Sequence, residues 1–300
     1  MTRPTSRMPE PGSPGSPRAT MPTPSKPREV EELIDEYLHR PLAARVVSLL
    51  VPTPITPNQV TIVSGLFGLA AGVAIALGGR NPSWLLWGGL LLFVSVILDC
   101  CDGQLARARA ISSTTGAIVD GLTDYVVGIS IAIGATYSMV QAFDEPRYWL
   151  LGLAGLVSIA AQSALFDHAK TRYIARVAGG YSEREEDVER VAAGRARAFG
   201  EGRYREAFLF WVYERYSRAQ HAALSIPVAA DPAAYRAANA TRMRTWTFLG
   251  IGTHLALAYV LSVIGYWWRP AIPLYFWLHV FVFNALLAGL LLIGARRDGA

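Results

Sequence analysis

Six long apolar segments restrict the fold of this chain more than any other feature of its sequence. They run at about residues 58–79, 83–106, 114–142, 147–169, 245–267 and 271–294. Each contains the roughly 20 residues that a helix needs to cross the hydrocarbon core of a bilayer. Within a bilayer the backbone must satisfy its own hydrogen bonds, and a helix does so inside a single segment. The sequence therefore predicts an all-α membrane protein with six transmembrane helices.

The overall composition agrees with a membrane protein. Hydrophobic residues make up 52% of the 300 residues and charged residues only 17%, whereas soluble domains are about a quarter charged. The formal net charge of +5 comes from arginines that flank the apolar segments, which favours anionic lipid as the negatively charged partner. We therefore expect the lipid bilayer among the partners, and no nucleic acid.

Composition also divides the chain into regions. Residues 1–27 are rich in Pro, Ser, Thr and Arg and predict a disordered tail. Residues 28–56 carry apolar side chains at helical spacing, which predicts amphipathic helices on the membrane surface or, alternatively, docked on protein. Spans one to four occupy 57–176, and spans five and six occupy 245–295. The charged stretch 177–244 between them predicts a helical cytoplasmic insert.

The basic residues predict the orientation of the spans. Of the 28 arginines and lysines, 25 lie before span one, between spans two and three, between spans four and five, or after span six. Positive residues are retained on the cytoplasmic side of a membrane. Both termini and these two connections are therefore expected in the cytoplasm, and the protein is expected to be integral to a cell membrane, such as the inner or plasma membrane.

Four acidic residues lie within the second and third apolar segments. Asp99 and Asp102 are three positions apart, and Asp120 and Asp124 are four apart, so each pair shares one face of its helix. An ionisable group inside the membrane costs roughly 2.5–3.5 kcal/mol on insertion scales, so a functional role is the default expectation. Because the connection between the two segments is short, we expect antiparallel neighbouring helices whose carboxylates converge near the cytoplasmic end.

Divalent metal ions would explain four carboxylates in one place. Carboxylates that share a site repel one another and take up protons, and a hard cation with oxygen ligands removes that conflict. Two ions about 3.5–4 Å apart would suit four carboxylates and a pyrophosphate. The alternatives are ion pairs with Arg107 and Arg109 that only hold the helices together, or a pathway for protons or ions.

Small residues accompany the acids. Gly103, Ala106, Gly116 and Gly121 remove side-chain bulk beside the carboxylates, although a glycine inside a helix costs about 1 kcal/mol relative to alanine. Close packing of helices would explain these residues. A flat nucleotide lying against the helix would explain them as well.

The run LDCCDGQLARARAISSTTGAIVDGLTDY, residues 98–125, resembles the signature of the CDP-alcohol phosphotransferases. The eight matching positions are Asp99, Asp102, Gly103, Ala106, Arg107, Gly116, Asp120 and Asp124. The sequence ThrProAsn at 56–58, followed by Thr61, is similar to the segment that opens the first span in this family. The resemblance covers about residues 29–176 and 245–294.

The resemblance implies a reaction and a role for each matching residue. Asp99, Asp102 and Asp120 would ligate two Mg²⁺ or Mn²⁺ ions, and Asp124 would touch a metal and act as general base toward the acceptor hydroxyl. The residues implied in binding CDP are Asn58, Thr61, Gly103, Ala106, Arg107 and Gly116. A phosphoalcohol group, phosphatidyl if the donor is a CDP-diacylglycerol, would pass to a polar alcohol in phospholipid biosynthesis, with release of CMP. The resemblance also suggests a homodimer.

The acceptor site is predicted from polar residues at the cytoplasmic ends of spans four and five. The candidates, with Lys170 the first choice, are Asp167, Lys170, Arg172, Arg176 and Arg242. They would bind the phosphate of an inositol-phosphate or glycerol-phosphate acceptor; flanking charge that only sets topology is the alternative. The run RPLAARVVSLLVPTPITPNQVT, 40–61, is similar to family members that use inositol phosphate, which favours that acceptor.

Two other functions also use intramembrane acids. An intramembrane prenyltransferase has aspartate-rich metal sites, but it normally needs two separated aspartate motifs and more spans. A transporter would spread its acids along several helices to form a path, whereas here they lie on two adjacent segments. Pyrophosphate as the product would favour the prenyltransferase, and CMP release without flux would exclude the transporter.

Overall fold

A computed structural model describes residues 27–298 of the chain, apart from 112–113, 179–181, 205, 209, 212–213 and 215–228. The side chains of 114–120, 178, 182–190 and 295–298 also lie outside the described part. The predicted disordered tail therefore lies outside it, except for Pro27. All regular structure in the described residues is helical, which confirms the predicted fold class.

The described helices follow one another along the chain, and the longest connection, 201–231, lies between the sixth and the seventh. We number them α1 Arg40–Leu50, α2 Pro57–Leu77, α3 Ser83–Ala108, α4 Thr114–Phe143, α5 Tyr148–Ala178, α6 Ser182–Gly200, α7 Pro232–Trp246, α8 Ile251–Gly265, α9 Ala271–Trp277 and α10 Asn284–Asp298. One π-helical turn, Asp35–His39, leads into α1, and another, Leu278–Phe283, joins α9 to α10. Short 3-10 turns lie at Arg28–Val30 and Thr247–Leu249.

Five stretches of helix in the described residues are long and apolar enough to cross a membrane. They are Pro57–Leu77, Ser83–Ala108, Gly121–Phe143, Tyr148–Val177 and Ala271–Gly294. A sixth span results if Pro232–Leu249 and Ile251–Gly265, which meet at an angle of 45°, are counted as one broken span. Five or six apolar helices agree with the predicted membrane protein.

The fifth span differs from the continuous helix predicted over 245–267. The extended backbone of Gly250 interrupts it, with φ −82° and ψ 158°, and the 3-10 turn Thr247–Leu249 precedes the break. Glycine removes the side chain that would otherwise favour continuing the helix. Helix α7 therefore leaves the axis of α8 and lies against α5.

Helix α2 is the centre of the N-terminal half of the bundle, because both α3 and α4 pack along it. A Cβ atom added to Gly65 of α2 would lie 2.6 Å from Cγ2 of Thr123 on α4. Helices in membranes commonly approach each other through such small residues. In the described residues α3 and α4 make few direct contacts. In the described residues they are joined mainly through α2.

The second half of the bundle packs against α3 and α5. Helix α8 lies on α3, and α9 lies on α8 and α5. A separate hydrophobic cluster joins α5, α7 and the last helix through buried side chains that include Phe166, Met243, Trp246 and Leu290. This cluster forms the floor of the pocket described below.

The N-terminal segment, residues 28–39, contacts the start of α8 through a buried carboxylate. Glu32 is only 8% exposed. It accepts hydrogen bonds from the backbone N–H of Thr253 at 2.7 Å, from the Thr253 hydroxyl at 3.0 Å and from the N–H of Gly252 at 3.3 Å. A carboxylate at a helix N-terminus satisfies free N–H groups and favours the helix dipole. Whether this segment lies on a membrane surface stays a prediction.

The Gly65 contact predicts a stability difference between two glycine substitutions. Gly65→Ala should lower the free energy of unfolding by about 1–3 kcal/mol, because the new methyl group must push α4 away from α2. Gly289→Ala on α10 is the matched control, since its Cβ would meet no described atom within 4 Å. Thermal unfolding of the purified proteins in detergent measures both. Equal unfolding midpoints for the two variants would contradict the proposed packing.

The buried carboxyl of Glu32 predicts a pH dependence of stability. Burial, reinforced by the charge of Asp35, raises the pKa of Glu32 from 4.5 to about 7, although hydrogen bonds from Thr253 and Gly252 oppose this shift. Because the folded-state pKa is the higher one, the stabilisation is complete below about pH 4.5 and is lost as the pH rises through about 7. Glu32→Gln cannot ionise and should escape this loss, which amounts to at most about 3 kcal/mol.

Thermal unfolding of the wild type and of Glu32→Gln between about pH 5 and 8 tests this expectation. The variant should gain stability relative to the wild type as the pH rises. The control is Glu145→Gln, since the pKa of Glu145 is lowered by its hydrogen bonds to Arg147. Curves for Glu32→Gln and the wild type that stay parallel over this range would show that Glu32 does not titrate there.

Candidate functional site

The two acids of α3 lie one turn apart near the C-terminal end of that helix. Asp102 is 6% exposed, and the Thr61 hydroxyl of α2 donates a hydrogen bond to its Oδ2 at 2.5 Å. Asp99 is half-buried. A carboxylate that ligates a metal is commonly oriented by a hydrogen bond from a neighbouring group. The Thr61 hydroxyl, predicted to contact the nucleotide, is directed to Asp102 in the structure.

The acids of α4 are described only in part. Asp124 is exposed, and it lies one turn after Gly121. The side chain of Asp120, like Gly116, lies outside the described part of the chain. The geometry of all four carboxylates together is therefore a prediction, and the structure describes three of them.

Two glycines beside the acids face open space. A Cβ added to Gly121 would meet no described atom within 4 Å, and one added to Gly103 would have the flexible side chain of Arg107 as its nearest neighbour, at 3.4 Å. Gly65, by contrast, sits in close contact with α4. Close helix packing therefore explains Gly65 but not Gly103 or Gly121, and these two leave room for a ligand.

The donor chemistry of these acids fits a hard divalent cation. Asp99, Asp102 and Asp124 offer carboxylate oxygens, which Mg²⁺ and Mn²⁺ prefer. Among the described side chains, no three His, Cys, Asp or Glu residues lie close enough together to form a metal site. A complete set of ligands would need Asp120, whose side chain lies outside the described part.

The two arginines after the α3 acids have different surroundings. Arg107 is exposed and extends past Gly103. The guanidinium of Arg109 donates hydrogen bonds to backbone carbonyls of the loop between α1 and α2, at Leu50, Val51, Thr53 and Ile55, over 2.5–3.2 Å. Arg109 thus fixes the loop that leads into the first span.

The start of α2 is defined by a capping box. The Thr56 hydroxyl accepts from the N–H of Gln59 at 3.3 Å, and the Gln59 side chain accepts from the N–H of Thr56 at 2.9 Å. This reciprocal pair satisfies free N–H groups and stops the helix from fraying. Asn58 is exposed in the first turn, and Thr61 is buried one turn later.

A second polar site is a pocket of about 290 Å³ between α5, α7 and α10. Its polar and aromatic lining includes His168, Arg172, Tyr235, Asn239, Arg242 and Trp246. The Nη1 atom of Arg242 is buried and has no hydrogen-bond partner among the described residues. A buried donor without a partner is costly, so this pocket is suited to an anion.

The pocket contains two of the five residues predicted for the acceptor, both arginines. The ammonium group of Lys170, the first choice, instead lies over the ring of Phe166, 5.5 Å from its centroid. The guanidinium of Arg176 lies over the ring of Tyr235 at 5.3 Å. Neither Lys170, Arg176 nor Asp167 lines the pocket.

Arg242 is predicted from the sequence, but the other polar and aromatic residues on the same face of α7 are not. Tyr235, Asn239, Arg242 and Trp246 line one side of the pocket. Their spacings of four, three and four residues are those of a single helical face. That periodicity is available as a signal, but the predicted boundary between the insert 177–244 and span five falls between Arg242 and Trp246 and divides this face.

Residues 54–183 match the family model described as CDP-alcohol phosphatidyltransferase. The chain is 33% identical over 150 residues to the bifunctional IPC transferase and DIPP synthase of Rubrobacter xylanophilus, covering 48% of this chain and 32% of that protein. It is 31% identical over 127 residues to the phosphatidylinositol phosphate synthase of Corynebacterium glutamicum, covering 42% and 55%. The protein of the same name from Mycobacteroides abscessus is 30% identical over 152 residues, covering 50% and 66%.

The similarity covers only part of each protein. The chain spans about a third of the length of the Rubrobacter xylanophilus protein and between about half and two thirds of the two synthases. The segment that matches the family model contains α2 to α5 and all four acids of the second and third spans.

The contact between Thr61 and Asp102 predicts a change in metal affinity. Thr61→Val keeps the size and shape of the side chain but removes the hydroxyl that orients Asp102, so the affinity for Mn²⁺ should fall about tenfold to a hundredfold. Electron paramagnetic resonance of free Mn²⁺ during a titration measures it. The control is Ser64→Ala, which removes a hydroxyl bonded to the carbonyl of Ser95 one turn deeper. Unchanged Mn²⁺ affinity in Thr61→Val would rule out this role.

Proposed function

Since the chain belongs to the CDP-alcohol phosphatidyltransferase family, we propose that it transfers a phosphoalcohol group from a CDP-linked donor to a polar alcohol and releases CMP. The donor that suits an intramembrane site is a CDP-diacylglycerol, because its acyl chains can lie between helices. The group transferred is then phosphatidyl, and the reaction belongs to phospholipid biosynthesis. The family match favours this reaction over those of a prenyltransferase or a transporter.

The observation that carries the proposal is the position of the acids beside open space. Asp102 on α3 is oriented by a hydrogen bond, and Asp124 on α4 is exposed. Gly103 and Gly121 lie next to these acids, and neither is filled by a neighbouring helix in the described residues. A nucleotide diphosphate needs this combination of carboxylates for its metal ions and of free space for its own bulk.

We assign two Mg²⁺ or Mn²⁺ ions to Asp99, Asp102, Asp120 and Asp124. Divalent ions, when bound, neutralise a pyrophosphate and stabilise the departing oxygen of the leaving group. The hydrogen bond from Thr61 to Asp102 supports the assignment, because it fixes one ligand before any metal binds.

Asp124 is the proposed catalytic base. Its exposure leaves the carboxylate open to an acceptor hydroxyl. The acceptor oxygen bonds to the phosphorus that carries the diacylglycerol, and the bond between that phosphorus and the CMP oxygen breaks. The proton of the acceptor hydroxyl passes to Asp124. A positioned general base contributes about a hundredfold to ten-thousandfold in rate.

The CDP moiety is assigned to the space between α2, α3 and α4. The residues proposed to contact it are Asn58, Thr61, Gly103, Ala106, Arg107 and Gly116. Arg107 extends past Gly103, and its guanidinium fork suits a phosphate. Thr61 also contributes indirectly, because its hydroxyl orients Asp102.

We propose a phosphorylated acceptor of the inositol-phosphate type. Two relatives are named phosphatidylinositol phosphate synthases, and the pocket between α5 and α7 contains two arginines. The unpartnered Nη1 of Arg242 supports a phosphate ligand there. Arg172 and Arg242 are the main candidates, and Asp167, Lys170 and Arg176 surround the same ends of the spans as weaker ones.

We also propose the topology that the basic residues predict. The active site and both termini face the cytoplasm of an integral membrane protein, with 177–244 forming a cytoplasmic insert between 57–176 and 245–295. The segment 28–56 lies along the membrane surface. A homodimer is the proposed assembly.

Release of CMP by purified protein tests the function. CDP-diacylglycerol and Mg²⁺ are supplied with inositol, inositol phosphate, glycerol phosphate, serine or ethanolamine. CMP should form with the inositol-phosphate acceptor, and Asp124→Asn should lower the rate at least a hundredfold. Asp144→Asn is the matched control, because it changes an exposed acid just beyond the opposite end of α4. Folded, metal-bound protein that forms no CMP with any acceptor would overturn the proposal.

A further inference from the structure

Contacts with the N-terminal segment hold α7 in place, and the role in acceptor binding inferred for them below rests on the proposed function. Helix α7 supplies one wall of the pocket that contains Arg172 and Arg242, and α5 supplies another. Its C-terminal end is bent 45° away from α8 at Gly250. A helix that carries pocket residues at such a bend needs contacts outside the pocket to fix its position.

Glu29 of the N-terminal segment touches both walls. Its Oε1 accepts a hydrogen bond from the Tyr173 hydroxyl of α5 at 3.1 Å. The same carboxylate is paired with Arg236 of α7, whose Nε donates to Oε1 and whose Nη2 donates to Oε2 at 3.0 Å. A two-point arginine–carboxylate pair fixes orientation as well as distance. One carboxylate thus joins α5 to α7.

The contacts of Glu29 with Tyr173 and Arg236 lie directly against the pocket. Tyr173 and Tyr235, which both line the pocket, have ring centroids 6.1 Å apart. Tyr235 precedes Arg236 in the sequence, and Arg242 follows it by six residues on the same helix. Movement of α7 relative to α5 would therefore displace Arg242 from Arg172.

A second contact holds the far end of α7 to the same segment. Arg244 donates to the carboxylate of Glu36 and, through Nη1, to the carbonyls of Arg28 at 2.7 Å and Glu31 at 2.9 Å. The N-terminal segment thus contacts α7 at both ends. Of these two polar contacts in the described residues, the Glu29 contact also reaches α5 and the pocket wall, where Val30 of the same segment belongs to the hydrophobic cluster.

We propose that Glu29 is a positioning residue, which holds α5 and α7 together and so sets the spacing of Arg172 and Arg242 for an acceptor phosphate. Its carboxylate does not take part in the chemistry. Its loss should weaken use of the phosphorylated acceptor and leave use of the CDP-linked donor, which binds between α2, α3 and α4, nearly unchanged.

Steady-state release of CMP by Glu29→Ala provides the first measurement. The KM for inositol phosphate should rise about tenfold, which corresponds to loss of a charge-assisted hydrogen bond, and the KM for CDP-diacylglycerol should stay within about twofold. The control is Glu145→Ala, which breaks an ion pair with Arg147 in the connection between α4 and α5. Exchanging the charges, Glu29→Arg with Arg236→Glu, should recover part of the acceptor affinity.

The second measurement reads the geometry without turnover. Spin labels are placed at the exposed positions Ala164 of α5 and Ala237 of α7, with Cys100 and Cys101 replaced by alanine. The distribution of distances between the labels should broaden in Glu29→Ala and stay narrow in Glu145→Ala. If Glu29→Ala folds poorly, Tyr173→Phe removes only the hydroxyl bond to Glu29 and should broaden the same distribution to a smaller extent.

The outcomes separate this inference from the proposed function. An unchanged distance distribution in Glu29→Ala overturns the inference. So does a rise in the KM values of donor and acceptor by the same factor, which would indicate general destabilisation. If the wild type forms no CMP with any acceptor, the proposed function fails, and the distance distribution alone decides whether Glu29 holds the two walls together.

Discussion

A carboxylate within an apolar bundle is stable only where neighbouring groups compensate for the water that it has lost. Asp102 obtains such a partner from Thr61, and that contact requires α2 and α3 to approach closely. The approach is secured one turn deeper, where Ser64 and Ser95 each donate a hydroxyl to the other's backbone carbonyl. Helix α4 packs on the same helix α2 through Gly65, and a Cβ atom added to Gly68 would meet both Val127 of α4 and Ser95 of α3.

The relation between α3 and α4 follows from their common packing on α2. Two helices that both lie along a third need not touch each other, and in the described residues α3 and α4 make few direct contacts. The proposed function places the nucleotide beside the acids of these two helices and beside Gly103 and Gly121. The small residues of this protein thus have two separate uses, close packing on α2 and free volume beside the acids.

The sequence alone could predict the spans and the residues of the acidic motif, because both depend on short-range periodicity. Apolar length predicts a span, and spacings of three and four residues place Asp99 with Asp102 and Asp120 with Asp124 on common helical faces. The sequence could not predict that Thr61 is bonded to Asp102, which is 41 residues away. Contacts of that kind depend on how helices pack, and periodicity within one helix does not contain this information.

The acceptor side was harder to predict for the same reason. Lys170 was the first choice because it is the only lysine after residue 26, yet its neighbour in the structure is Phe166. Glu29 and Arg236 are 207 residues apart, so no pattern within a single helix relates them. The break at Gly250 was hidden because the apolar residues continue across it without a change in composition.

That break has a consequence for the depth of the pocket in the membrane. Helix α8 has 15 residues, which at 1.5 Å per residue make it about 22 Å long, whereas the hydrocarbon core is about 30 Å thick. Hydrophobic mismatch of this size draws the polar flank of a short span inward or thins the lipid around it. In the proposed topology, the end of α8 that adjoins α7 would then be recessed to the level of the lipid headgroups. Under the proposed function, a water-soluble acceptor bound there would meet a lipid-borne phosphate at the same depth, and neither substrate would have to cross the interface.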